Sequence, residues 1–149
     1  LRIAIGSDHG GFRLKGEIME HLKVKGIEIV DFGTFSEDSC DYPDVALEVA
    51  QAVADKKFTF GILVCGTGIG IGIAANKVPG IRAALCSDTF SAHACREHND
   101  ANILTIGQRV VGTGLALDIV ETFLKAEFEG SRHSKRIDKI SQIEAKYYK

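Results

Sequence analysis

Strand-length apolar runs alternate with helix-length amphipathic segments along the whole chain, and this alternation constrains the fold more than any other feature. Strands are expected over residues 3–6, 27–31, 60–65, 81–86 and 102–106. Between them, Phe12, Leu14, Ile18, Met19 and Leu22 recur near helical spacing over residues 11–25, and Gly26 stands where a helix C-cap would. Pro43 can open a second helix, because its missing amide hydrogen is one the first turn leaves unpaired. That helix would bury Val45, Val49, Ala52 and Val53. A helix running to about Lys77 follows the glycine-rich turn, another over 88–97 is capped by Asp88, and a longer one spans 112–125. The run at 60–65 is almost wholly apolar, as expected of a parallel strand with helices on both faces. The pattern predicts an α/β fold: a doubly wound, five-stranded parallel sheet with right-handed crossovers. In the tail, residues 134–147 space Ile137, Ile140 and Ile143 at helical intervals with no strand to follow. A partner subunit is expected to take up that apolar stripe.

The chain has 149 residues, suited to one domain over 1–149, and 45% of them are apolar. A core of that size needs neither disulfides nor a structural metal. With a formal net charge of −2, no overall basic field attracts nucleic acid. No apolar run approaches the ~18 residues of a membrane span, and residues 1–6 read as a first strand rather than a signal peptide. Cys40, Cys65, Cys86 and Cys95 form no CxxC pair and no zinc-type spacing, so free thiols in a reducing cytoplasm are expected, with no metal and no cofactor.

Open parallel sheets bind ligands beyond the carboxyl ends of their strands. Three polar clusters are expected at such ends: Ser7-Asp8-His9 after the first strand, Cys65-Gly66-Thr67-Gly68-Ile69-Gly70 after the third, and His98-Asn99-Asp100 just before the fifth. The fifth strand leads into Gly107-Gln108-Arg109. The glycine loop can turn its amides inward to cradle an anion, or can simply be a tight strand–helix connection. It is neither a P-loop nor a dinucleotide fingerprint, because no Gly-Lys-Ser/Thr follows and Ile71 stands where a third glycine is needed. Cys65, at the mouth of the loop, reads either as a small buried apolar residue or as a base, since a helix N-terminus favours a thiolate. Cys40, Cys86 and Cys95 lack that setting and read as packing residues. Arg132 and Arg136, four apart, form either a paired guanidinium site for a phosphate or a solvated face neutralised by Glu129 and Asp138.

Six segments taken in order resemble the ribose-5-phosphate isomerase B family, which includes the galactose-6-phosphate isomerase subunits. They are Gly6-Ser7-Asp8-His9, Asp41-Tyr42-Pro43, Cys65-Gly66-Thr67-Gly68, Ala74-Ala75-Asn76-Lys77, Glu97-His98-Asn99-Asp100-Ala101-Asn102, and Arg132-His133 with Arg136. The resemblance covers nearly the whole chain. It implies a Rossmann-like three-layer αβα sandwich, a homodimer or dimer of dimers with shared active sites, and a metal-independent aldose–ketose isomerase acting through a cis-enediolate. Cys65 would be the base, with Ile71 standing where some relatives carry a glutamate. Thr67 would handle protons on the substrate oxygens, and the amides of residues 66–70, Ile69 included, would hold the enediolate. His98, with Asp8, would open the sugar ring. His9, Arg132 and Arg136 would hold the phosphate, with Arg109 joining from the partner subunit, while Asp41, Tyr42, Asn99 and His133 would line the sugar site. Relatives usually carry Gly-Gly before Arg-His. Here the pair is Gly130-Ser131, so Ser131 is expected to bear strain if its position needs a positive φ. Ribose 5-phosphate is the substrate the resemblance points to first. A hexose 6-phosphate of the allose or galactose type is the alternative, and a nucleotide-binding regulatory module is the reading from a different class.

Overall fold

A computed structural model of the chain describes residues 1–148. Five parallel strands, β1 (Arg2–Ser7), β2 (Glu28–Asp31), β3 (Phe60–Cys65), β4 (Ala83–Leu85) and β5 (Ile103–Gly107), form one sheet in the order β2-β1-β3-β5-β4. The helices are α1 (Phe12–Val24), α2 (Tyr42–Ala54), α3 (Ile69–Ala75), α4 (Thr89–Glu97), α5 (Thr113–Lys125) and α6 (Arg132–Tyr147). A short 3-10 turn, His9–Gly11, leads into α1. The expected elements are all present, with ends shifted by a few residues, most at β4, where a single neighbour limits the ladder.

Side chains on a strand alternate between the two faces of the sheet. Ile3, Ile5, Ile62, Val64, Leu104 and Ile106 therefore meet α1, α4 and α5 on one face, through Leu14, Ile18, Ala92, Ile119 and Phe123. Ala4, Leu63, Cys65 and Ile103 meet α2 and α3 on the other, through Val45, Val49, Val53, Ile71 and Ala75. Each fully buried Leu or Ile contributes about 1.5–3 kcal/mol. β1 thus hands the chain to one face and β3 to the other, which makes their carboxyl ends the switch point at which α/β sheets place ligands.

Two helix ends show how local chemistry sets the boundaries. Gly26, at φ +76°, gives its amide to Lys23 while Ile27 gives its own to Leu22, an end that needs a left-handed residue. Asp88 caps α4 by accepting the Ser91 amide at 2.6 Å. The stripe on α6 remains largely exposed: Ile140, Ile143 and Tyr147 line a cavity of about 620 Å³ whose opposite wall includes Ile81, Ala84 and Ala101. That cavity is apolar, and none of the expected catalytic residues lines it.

Ser131 carries the expected strain, with φ 55° and ψ −127°, a region favourable to glycine. Ser131→Gly is predicted to stabilise the protein by about 1 kcal/mol, since relief of strain exceeds the entropy glycine adds to the unfolded chain. Urea unfolding at matched m-values checks this, and a destabilised variant would contradict it.

Candidate active site

The carboxyl ends of β1 and β3 meet directly. Asp8 donates its amide to the Val64 carbonyl at 3.3 Å, and a Cβ on Gly10 would stand 3.2 Å from the Gly66 nitrogen. Asp8 is buried and accepts the Gly10 amide on Oδ1 at 2.9 Å, so one carboxylate oxygen already holds the turn. His9 accepts the Cys40 amide on Nδ1 at 3.2 Å, which leaves Nε2–H as its free donor. The same bond ties the segment leading to Asp41 and Tyr42 against β1. Further back, the Lys15 ammonium, itself buried, bonds Asp31 Oδ1 at 2.8 Å and the Thr34 carbonyl. That anchor holds the chain where Gly33 and Thr34 exchange backbone hydrogen bonds with Ser7.

The centre of the arrangement is Cys65, which ends β3 and is 5% exposed. Its sulfur accepts the Gly68 amide at 3.1 Å, so the side chain turns toward the glycine loop rather than away from it. Gly68 sits at φ +78°, and a Cβ there would fall 2.8 Å from the Ile106 carbonyl carbon. No other residue fits both the backbone angle and the contact. Tyr42 lies over α3, with its hydroxyl 2.9 Å from where a Gly70 Cβ would be. Thr67 is exposed, and its hydroxyl accepts the Ile69 amide at 3.2 Å. Two of the loop amides expected to face a ligand are therefore already engaged, Gly68 with sulfur and Ile69 with Thr67. Ile71, where some relatives carry a base, is fully buried in the core under α2 and α3.

The resemblance brings Arg109 to the phosphate from the partner subunit; within this chain it lies beside the glycine loop. It donates its amide to the Gly66 carbonyl at 3.0 Å, and its guanidinium Nη1 stands 3.3 Å from the position of a Gly66 Cβ. It reaches the glycine loop of its own chain without help from a partner.

A correction concerns His98 and Asn99. They follow α4 and precede β5, which places them at the amino ends of the strands, not the carboxyl ends. Gly107 pairs with Cys65 while Ile103 pairs with Gly61, so β5 alone separates the two ends by roughly 13 Å. His98 lies farther still, before Ile103. Catalytic groups must come within about 3–3.5 Å of reacting atoms, so one chain cannot bring Cys65 and His98 to one sugar. α4 runs antiparallel to the strands, so its end delivers His98 to the amino end of the sheet.

His98 gathers its own neighbours. Its ring stacks on His133, with centroids 4.5 Å apart and planes 18° apart, and its Nε2 lies 3.7 Å from Glu129 Oε1. These three residues bring potential ligand atoms within 4.8 Å of one another. However, imidazole lone pairs lie in the ring plane, and two nearly parallel planes do not meet at a common ion about 2 Å from each nitrogen. As folded, the pair is stacked rather than convergent. His133 starts the first turn of α6, whose Arg132 and Arg136 are exposed and form no ion pair among the described residues, neither with Glu129 nor with Asp138. Lys135 and Lys139 share their face, and the four cations surround a cavity of about 440 Å³. The two lysines were missed in the sequence, although their spacing of three and seven from Arg132 marks them.

Burial first, then the neighbouring His98 and Arg132, hold the His133 imidazole below its ordinary value of 6.5. The folded state thus favours the neutral ring. As pH falls, the unfolded chain takes up the proton first, so the contribution is complete above the unfolded value and is lost as pH drops through the lowered folded one. His133→Gln should therefore lose less stability than the wild type between pH 7 and pH 5, read by urea unfolding at each pH. Identical slopes for the two proteins would remove His133 from the account.

The family model described as Ribose/Galactose Isomerase matches residues 3–140. Ribose-5-phosphate isomerase B of Escherichia coli strain K12 is 52% identical over 143 residues, covering 96% of each chain. The solved structure of Clostridium thermocellum ribose-5-phosphate isomerase B superposes with a TM-score of 0.98 at 60% identity, covering 99% of both chains. That of Mycoplasma genitalium ribose-5-phosphate isomerase B with bound ribulose 5-phosphate gives 0.93 at 46% identity, over 97% of this chain and 96% of that one.

Proposed function

Because this chain belongs to the ribose/galactose isomerase family, we propose that it interconverts ribose 5-phosphate and ribulose 5-phosphate, with Cys65 as the base. The observation that carries the chemistry is the Cys65 sulfur, at the carboxyl end of β3 and in contact with the Gly68 amide at 3.1 Å.

In this reading His98, with Asp8, opens the furanose to the aldehyde. The Cys65 thiolate then takes the proton from C2. The electron pair of that C–H bond forms the C1–C2 double bond, and charge moves onto O1, giving a cis-enediolate. Return of the proton to C1, with loss of the O2 proton, yields the ketose. Thr67 exchanges protons with O1 and O2. Amides of the glycine loop not engaged internally bind the developing oxyanion, where loss of one donor typically costs about 2.7–4 kcal/mol of barrier. His9 and Arg109 hold the phosphate from the Cys65 side, and Asp41 and Tyr42 line the sugar.

Separation of the polar residues into two groups supports a shared site. Arg132, Arg136, His98, Asn99 and His133 lie at the amino-terminal end of the sheet, beyond reach of their own Cys65. In this reading they serve the Cys65 of a second copy of this chain. In a two-fold dimer, both sites would then take one half from each protomer, with α6 carrying the arginines across.

Cys65→Ala should abolish isomerisation of ribose 5-phosphate while leaving phosphate binding nearly intact, measured by turnover and by calorimetry. Near-normal turnover would remove Cys65 from the mechanism. The shared site has its own test. Cys65→Ala and His98→Asn should each be inactive alone. Mixed and allowed to exchange subunits, they should regain about a quarter of wild-type activity, because half the dimers are hybrid and each hybrid holds one intact site. No recovery in hybrids isolated by differential tagging would place both groups in one chain. Turnover of ribose 5-phosphate compared with allose 6-phosphate, as kcat/KM, separates pentose from hexose preference.

A further inference from the structure

β5 carries one polar side chain amid Ile103, Leu104 and Ile106: Thr105, fully buried. A hydroxyl in that position is costly unless it is hydrogen-bonded. Here Thr105 Oγ1 donates to the Gly68 carbonyl at 2.8 Å. Gly68 is thus held on both sides, its amide on the Cys65 sulfur at 3.1 Å and its carbonyl by Thr105. The loop it belongs to lies flat on β5, since a Gly68 Cβ would stand 2.8 Å from the Ile106 carbonyl carbon and 3.1 Å from the Gly107 nitrogen. α3 makes room for the threonine: a Cβ on Gly72 would come 3.2 Å from Thr105 Oγ1.

We propose that Thr105 is a positioning residue for the reaction, its hydroxyl fixing the Gly68 peptide so that the amide of Gly68 meets the Cys65 sulfur. The physical reason lies in Gly68 itself. A glycine at positive φ has no side chain to hold its rotation, and both flanking peptide planes can swing. One hydrogen bond from a rigid central strand removes that freedom. β-branched threonine suits the task, because its χ1 is restricted and its methyl packs under Gly72. This inference rests on Cys65 acting as the base.

The test uses Thr105→Val, which keeps the shape and loses the donor, Thr105→Ala as a second variant without the branched bulk, and Thr105→Ser, which restores the hydroxyl. Two quantities are read: kcat and KM for ribose 5-phosphate, and the rate at which iodoacetamide alkylates Cys65 at neutral pH, followed by peptide mass spectrometry. In Val and Ala variants that melt cooperatively, kcat should fall about five- to tenfold with KM unchanged within about twofold, and Cys65 alkylation should slow several-fold. Thr105→Ser should recover most of both. Wild-type kcat and alkylation in Thr105→Ala would overturn the proposal. So would a Thr105→Ser variant as impaired as Thr105→Val, since packing alone would then account for the loss. The alkylation rate reports the sulfur's surroundings whether or not sugar is turned over. An active Cys65→Ala variant would defeat the base assignment, while unaltered alkylation in Thr105→Ala and Thr105→Val would defeat the clamp.

Discussion

The peptide of Gly68 pressed onto β5 is the contact on which the proposed chemistry depends. Three demands meet at one residue: a left-handed backbone, room for no Cβ against the Ile106 carbonyl, and an amide aimed at the Cys65 sulfur. Any side chain at residue 68 would lift the loop off the strand, and with it the amide off the sulfur. The neighbouring glycines serve the same closeness in other directions. Gly70 admits the Tyr42 ring, and Gly66 lies beneath the Arg109 guanidinium. Loop backbone, aromatic ring and cation therefore meet at the glycine loop that follows Cys65, at the end of the central strand β3.

The topology then divides the polar residues. A helix joining two parallel strands must run antiparallel to them, so α4 carries His98 and Asn99 away from the end where β4 delivers it. The turn into α6 continues from there, stacks His133 on His98, and sets Arg132 and Arg136 on a face with no acidic partner among the described residues. The unneutralised guanidiniums suit the phosphate of the proposed substrate, and under the proposed shared site that sugar would lie at the Cys65 of a second copy of the chain. Arg109, by contrast, belongs to the Cys65 side.

Strain marks the same junction. Gly130 and Ser131 both adopt positive φ just before Arg132, a conformation serine tolerates poorly. The turn aims α6 so that His133 is buried while the arginines stay exposed. A buried Lys15 plays the comparable part on the other half, holding the segment that brings Cys40 to His9.

The fold was legible in the sequence because hydrophobic periodicity is a local property. Strand and helix lengths, the Gly26 end of α1, the Asp88 cap and the assignment of Cys65 to the end of β3 all follow from residues within a turn or two of one another. Family resemblance named most of the candidate residues. What the sequence could not decide was which of them share a site. Arg109 and Gly66 are brought together by the parallel pairing of β3 with β5, and so are Thr105 and Gly68, thirty-seven residues apart. His98 is kept from Cys65 by the direction of a connecting helix. Order along the chain specifies which elements form, through contacts of short range. Only the packing of strands and helices in three dimensions sets which ends face each other, because that geometry depends on pairings between segments far apart in the chain.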